Sequence, residues 1–357
     1  MIRIREYRDK EFIDRENEIE YLKSWFKNTP DEILWLFGPK STGKTTLIEY
    51  VVENYLLKSS EYNVKYINFR GKMVGNYDNF ISSFIRPDDK QFLKDIDLSI
   101  DLKVIKINSK LYEKIKKKEY DFFEAMEDQF LKLSKNRKNI LIIDEIQTLE
   151  DIYINGGKLL LKEFLNFCVR LTKELHISHV VILSSNTIFL DRIYNDAKLK
   201  VTSRFKKIDH LDKETTLEYL RYKTEVEKVN FTEDDLELIW EYLGGCIPLL
   251  QRVFREIKGF NSLKEYLESE AELAVSEVVD IMVKILNQNE KDIFEKILGI
   301  ILKNGNFIVN KDEKRETMKI VDFMAEKEIL FYDPLTREIK GNNRLYEKGF
   351  EKLMSSE

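Results

Sequence analysis

Ile33-Leu34-Trp35-Leu36-Phe37-Gly38-Pro39-Lys40-Ser41-Thr42-Gly43-Lys44-Thr45 joins five apolar residues to a glycine-framed loop of the form G-x-x-x-x-G-K-T. Bounded by Pro30-Asp31 and Gly38, the apolar run reads as a strand buried on both faces of a parallel sheet. From Lys44 to Leu57 the spacing turns helical, with Leu47, Ile48, Val51, Val52 and Tyr55 on one stripe. A strand, a glycine loop and a helix in that order form an anion cradle. Gly38 and Gly43 let the backbone through Pro39, Lys40, Ser41 and Thr42 wrap phosphates, and the helix start at Lys44, Thr45 and Thr46 adds its positive end. The Lys44 ammonium reaches the β- and γ-phosphates and the Thr45 hydroxyl ligates Mg²⁺, so ATP and Mg²⁺ are the expected ligands.

About a hundred residues on, Asn139-Ile140-Leu141-Ile142-Ile143-Asp144-Glu145 carries two acids to the carboxyl end of a second buried strand, where open α/β sheets bind ligands. Asp144 is the expected second holder of Mg²⁺, and Glu145 the base that polarises the attacking water. Val180-Val181-Ile182-Leu183-Ser184-Ser185-Asn186 is a third strand ending in polar residues, and Asn186, with Ser185 as the alternative, is its candidate for orienting that water. Further strands are expected at Val64 to Phe69 and near Phe205 to Ile208, with helical patterns between them; this is the α/β signature.

Beyond Leu211 the alternation stops. Helices are expected at Lys213 to Lys223, Glu233 to Leu243, Pro248 to Lys258 and Leu263 to Leu286, which reads as a helical lid over residues 211–285. Thr232 is the expected N-cap of the second. Helices at Lys291 to Lys303 and Arg315 to Lys327, followed by strands Ile329 to Tyr332 and Arg337 to Lys340, give residues 286–357 the layout of a winged helix. Residues 1–210 form the expected P-loop core, in which 71–120 are too long for an ordinary connection and read as an inserted element.

Composition narrows the setting. The chain has 357 residues, 43% hydrophobic, which is more than one core usually holds and predicts two or three domains. Charged residues make up 34% while Gly and Pro are scarce, as in a helix-rich protein. The net charge of −5 marks no obligate nucleic-acid binder, because such a role needs basic residues gathered locally. Cys168 and Cys246 are too far apart to suggest a disulfide framework or a zinc site, which fits a reducing cytosol. No apolar stretch approaches the roughly 20 residues of a membrane span. A cytoplasmic protein without a membrane partner is expected.

Phe12-Ile13-Asp14-Arg15-Glu16-Asn17-Glu18-Ile19-Glu20-Tyr21-Leu22, with the loop and the Asp-Glu strand after it, resembles the archaeal ATPase family, in the signal-transducing (STAND) branch related to AAA+ proteins of the origin-recognition type. The resemblance implies a base-site role for Arg15 and Glu16. It also implies that Arg204, in Val201-Thr202-Ser203-Arg204-Phe205, acts on the γ-phosphate within its own subunit or on a neighbour's, the latter in a nucleotide-dependent homo-oligomer. Gly244-Gly245-Cys246-Ile247-Pro248 resembles the family's lid motif and implies that Pro248 meets the adenine. Two functions are compatible with this. One is an Mg²⁺-dependent ATP-hydrolysing switch that reports its nucleotide state through the winged helix to a protein partner. The other is a DNA-binding ATPase of replication or genome maintenance, for which the mixed charge of Arg315 to Lys327 predicts weak DNA binding at most.

Overall fold

The computed structural model describes residues 3–8, 10–70, 74–87, 105–150, 152–154, 158–284, 286–310 and 312–355. Its centre is a five-stranded sheet of β3 (Ile33–Phe37), β4 (Tyr62–Asn68), β5 (Lys138–Asp144), β6 (Ser178–Ser184) and β7 (Ser203–Lys207). All pairings are parallel, and the spatial order is β7-β3-β6-β5-β4. The apolar runs make this sheet because successive residues serve opposite faces. Ile33, Trp35 and Phe37 enter one core cluster with Leu141, Ile143, Val180 and Ile182, while Leu34 and Leu36 enter the other with Ile140, Ile142, Val181 and Leu183. Helices α1 (Glu16–Lys27) and α2 (Lys44–Val51) cover the second face. The first is covered by α3 (Phe122–Ser134), α4 (Leu160–Val169) and α5 (Thr187–Asn195). The expected α/β core with a parallel sheet is borne out.

Some local details differ from expectation. The helix from Lys44 ends in a widened π turn at Val52–Leu56 rather than continuing regularly to Leu57. At the start of α1 the N-cap position is Arg15, with φ 86° and no side-chain cap. A hairpin of β1 (Ile4–Tyr7) and β2 (Lys10–Ile13) precedes it, unannounced by any turn signal. Of the 71–120 stretch, residues 71–73 and 88–104 lie outside the described residues; Ile85–Pro87 and Ile105–Ile107 pair in parallel, and Phe80 and Phe84 pack in the first-face core against Phe122 of α3.

The helices after the sheet are α6 (Lys213–Glu227), α7 (Glu233–Leu243), α8 (Ile247–Glu256) and α9 (Leu263–Lys284). Thr232 caps α7 in a reciprocal capping box with Asp235, which satisfies two otherwise orphan N–H groups. The chain ends in α10 (Gln288–Asn304), β8 (Phe307–Ile308), α11 (Arg315–Glu326), the hairpin β9 (Leu330–Asp333) and β10 (Glu338–Gly341), and α12 (Arg344–Ser355). The three strands form one antiparallel sheet in the order β8-β10-β9. The long helix α9 serves two cores: Leu263, Tyr266 and Leu267 pack with α6 to α8, while Val278 and Met282 pack with α10 to α12.

Candidate nucleotide site

Gly38 ends β3 with φ 149°, and a Cβ there would lie 2.0 Å from the Ile208 carbonyl oxygen, so only glycine lets the chain after β7 pass this close. The Lys44 ammonium sits inside the loop, donating to the carbonyls of Gly38 (3.0 Å) and Pro39 (2.7 Å) and to Thr42 Oγ1 (3.3 Å). Burial brings its pKa down to about 8, with Asp144 and Glu145 opposing that shift. An anion at the loop would favour the charged form.

The two sequence-predicted metal holders meet: Thr45 Oγ1 donates to Asp144 Oδ2 at 2.9 Å. Two residues that sequence reasoning missed also reach this oxygen, Tyr66 Oη at 3.2 Å and Asn68 Nδ2 at 3.5 Å, both from β4. Alternation along β4 and its parallel pairing with β5 put them there, a register the sequence does not print. Burial raises the Asp144 pKa; the Thr45 hydrogen bond acts against it. A carboxylate and a hydroxyl held together at the strand ends form a hard-oxygen donor set, which fits Mg²⁺.

Glu145 follows in a left-handed conformation, φ 60°. Its carboxylate is held by the Arg70 guanidinium and by the Gln147 side-chain amide. Neither partner was identified from the sequence, because a lone Arg after a strand carries no motif. Asn186 N-caps α5: its Oδ1 accepts from the Phe189 N–H at 2.9 Å and its own N–H donates to Ser184 Oγ at 3.1 Å. Its position is the carboxyl end of β6, with its carbonyl oxygen committed to the cap.

A cleft of about 790 Å³ runs from Ser41, Thr42, Gly43 and Thr46 to helices α6 and α8. Arg15 lines it, its guanidinium donating to the carbonyls of Thr42 (2.9 Å) and Asp209 (2.7 Å). Pro248 lines it too, in the first turn of α8. The preceding turn depends on Gly245, where a Cβ would lie 1.9 Å from the Leu211 carbonyl oxygen. Glu16 departs from expectation: it does not line the cleft and pairs with Arg3 and Arg5 of the N-terminal hairpin, since α1 turns that side chain outward. Arg204 departs as well. Its register partner is Leu34, three residues before Phe37 and so roughly 10 Å from the loop along the strand, and its guanidinium faces Glu32 at 3.3 Å. It does not reach its own subunit's loop. The neighbouring Ser203 is accounted for by the buried indole of Trp35, which donates to its hydroxyl at 3.1 Å.

The C-terminal unit reaches the same end of the sheet. Glu328, after α11, pairs with Lys40 of the loop. Lys207 at the end of β7 pairs with Asp333 (3.1 Å) and Asp209 (3.0 Å), and Lys340 faces Asp209 at 3.5 Å. His210 Nε2 lies 3.1 Å from the Asn342 carbonyl oxygen, and Tyr332 donates to Asp191 at 3.2 Å.

Such a loop on such a sheet defines a P-loop ATPase core. The chain belongs to the ATPase domain family found predominantly in Archaea, whose model matches residues 12–253. It is 30% identical over 366 residues to an uncharacterized ATP-binding protein of Methanocaldococcus jannaschii, covering 96% of this chain and all of that one. A second such protein from that organism is 31% identical over 386 residues, with the same coverage. Among solved structures it is similar in fold to a Walker-type ATPase of Pyrococcus abyssi, with TM-score 0.58 at 15% identity and 95% of each chain covered. Among the described residues no helix is long and apolar enough to cross a membrane.

Proposed function

We propose that the protein is an Mg²⁺-dependent, ATP-hydrolysing regulatory switch of the STAND type, whose last 72 residues or so (286–357) form a winged helix that reads the state of the nucleotide site. The observation that carries this reading is the contact of Glu328 with Lys40, a residue of the phosphate loop itself. A unit docked there meets any change of charge at the loop directly. Added phosphate charge competes with Glu328 for Lys40 and repels the Glu328 carboxylate, so nucleotide binding and docking are coupled by differential interaction. Thr45 and Asp144 would hold Mg²⁺, which would supply charge neutralisation for the phosphates. Lys44 orients the β- and γ-phosphates, and Glu145 accepts a proton from the attacking water once its carboxylate turns from Arg70.

The DNA-binding reading has less support. On α11 the face formed by Arg315, Lys319, Asp322 and Glu326 ends in two acids, and Asp322 lies against Asp191 of α5. Burial pushes the Asp322 pKa up to about 6, with Asp191 and Glu326 adding to it. A helix packed in this way would have to leave α5 before entering a groove. A protein partner that displaces the C-terminal unit is the corresponding expectation, and Arg204 can serve only a neighbouring subunit's nucleotide.

The deciding experiment follows ATP-dependent release of the C-terminal unit by hydrogen exchange across residues 328–342. Increased exchange with Mg·ATP and its reversal after hydrolysis support the switch; identical exchange with and without nucleotide would sink it.

A further inference from the structure

The end of the cleft away from the phosphate loop is charged. Glu11 of β2, Lys223 and Glu227 of α6, and Gln251 of α8 line it beside the apolar walls of Phe12, Ile13, Ile247, Pro248 and Phe254. Lys223 is 9% exposed, yet it is held between two carboxylates, Glu11 at 3.0 Å and Glu227 at 2.7 Å, with its ammonium 5.9 Å from the centre of the Phe254 ring. The other Glu11 oxygen accepts from Tyr219 Oη at 2.7 Å. A largely buried ion pair adds little stability compared with apolar side chains of the same size. The pair stands in the wall of an open cleft, where a ligand can meet both partners.

Elimination shows which ligand group it faces. The loop backbone, Lys44 and Thr45 belong to the phosphates. The Arg15 guanidinium is already committed to Thr42, Asp209 and Glu18. Gln251 is engaged with the Tyr219 hydroxyl. Arg255, which also lines the cleft, offers donors only, and of the two carboxylates on Lys223 Glu227 is the more exposed, so the acceptor left for the hydrogen-bonding edge of a base slotted between Pro248 and Phe12 is Glu11, with one Lys223 N–H beside it.

We propose that Glu11 and Lys223 are the base-specificity determinants of this site: the Glu11 carboxylate accepts from the 6-amino group of adenine and Lys223 donates to a ring nitrogen. This rests on the reading of the cleft as the ATP site. A guanine in the same slot turns its 6-carbonyl oxygen onto the carboxylate, acceptor against acceptor, and is rejected. A purine without the 6-amino group leaves Glu11 unpaired by its ligand and binds more weakly, since sites built around a hydrogen bond discriminate strongly against analogues that lack it.

The test measures dissociation constants of the full chain for ATP, GTP, purine riboside triphosphate and inorganic tripolyphosphate, for the natural protein and for E11L and K223M. The natural protein should prefer ATP over both other nucleotides by roughly 10–100-fold. E11L, which has no acceptor, should lose the preference over purine riboside triphosphate, K223M should bind ATP more weakly by a similar factor, and both should bind tripolyphosphate as before. Equal affinity of the natural protein for ATP and purine riboside triphosphate overturns the proposal, as does a parallel loss of ATP and tripolyphosphate in the variants. If a variant does not fold, the nucleotide series on the natural protein decides alone. Absence of any nucleotide or tripolyphosphate binding would instead remove the ATP site itself.

Discussion

Lys44 stands at the centre of the phosphate loop, donating to the Gly38 and Pro39 carbonyls. Replacing it with alanine removes the ammonium held by these carbonyls, and ATP affinity measured by calorimetry should fall below detection. Unchanged binding would refute the assignment. Glu145→Gln should leave Mg·ATP bound and slow hydrolysis by ~10²–10⁴, the range for loss of a general base. Arg70→Ala tests the partner that only the structure revealed. Freed from the guanidinium, the Glu145 carboxylate can turn toward the attacking water, so basal turnover should rise several-fold with ATP affinity unchanged. A fall in turnover would mean that Arg70 orients Glu145 for the reaction instead of restraining it.

At the scale of elements, the placement of α8 depends on the turn before it. Gly245→Ala places a methyl group against the Leu211 carbonyl, an overpacking that costs about 1–3 kcal/mol. Loss of the capping box in Thr232→Ala costs about 1 kcal/mol by comparison, because only the end of α7 frays. Thermal unfolding should rank the two in that order, and only Gly245→Ala should also weaken ATP binding, since it shifts Pro248 in the cleft wall.

For the whole molecule, two features respond to charge. The seam between core and C-terminal unit contains an exposed pair, Lys40 with Glu328, and a largely buried one, Lys207 with Asp333, which is 3% exposed. Exposed pairs contribute about 0–1 kcal/mol, whereas a buried hydrogen bond to a charged group contributes roughly 1.5–3 kcal/mol. Asp333→Ala should therefore release the C-terminal unit to limited proteolysis more than Glu328→Ala does, although Glu328 is the residue at the loop. The second feature is His179, buried at the start of β6 with its Nε2 3.1 Å from the Asn28 carbonyl oxygen. Burial lowers its pKa to about 4, so as pH falls below 6.5 the unfolded chain takes up the proton first. The stability of the natural protein relative to His179→Gln should then decline between pH 6.5 and 4, by on the order of 3 kcal/mol, and level off below that. Asp322, whose pKa is raised to about 6, works in the opposite direction over the same range, which is why the difference between the two proteins is the quantity to measure by urea unfolding. Parallel curves would show that His179 titrates normally.

Local pattern was enough for the sheet and for the phosphate end of the site. Five consecutive apolar residues before Gly38, and four before Asp144, leave a buried parallel strand as the consistent reading, and the spacing of Gly38, Gly43, Lys44 and Thr45 is a local geometry that travels with its own backbone. Thr232 and the turn at Gly245 were legible for the same reason. What tertiary structure alone decided involves residues far apart in the chain: Tyr66, Asn68 and Arg70 against Asp144 and Glu145, Glu11 against Lys223, Lys40 against Glu328. Each pairing depends on strand register or on how two helical units dock, and a one-residue change of register would turn Tyr66 to the opposite face. Arg204 and Glu16 mark the same boundary from the other side. Their motifs were visible in sequence, but the strand position of one and the helix face of the other direct them to Glu32 and to Arg5.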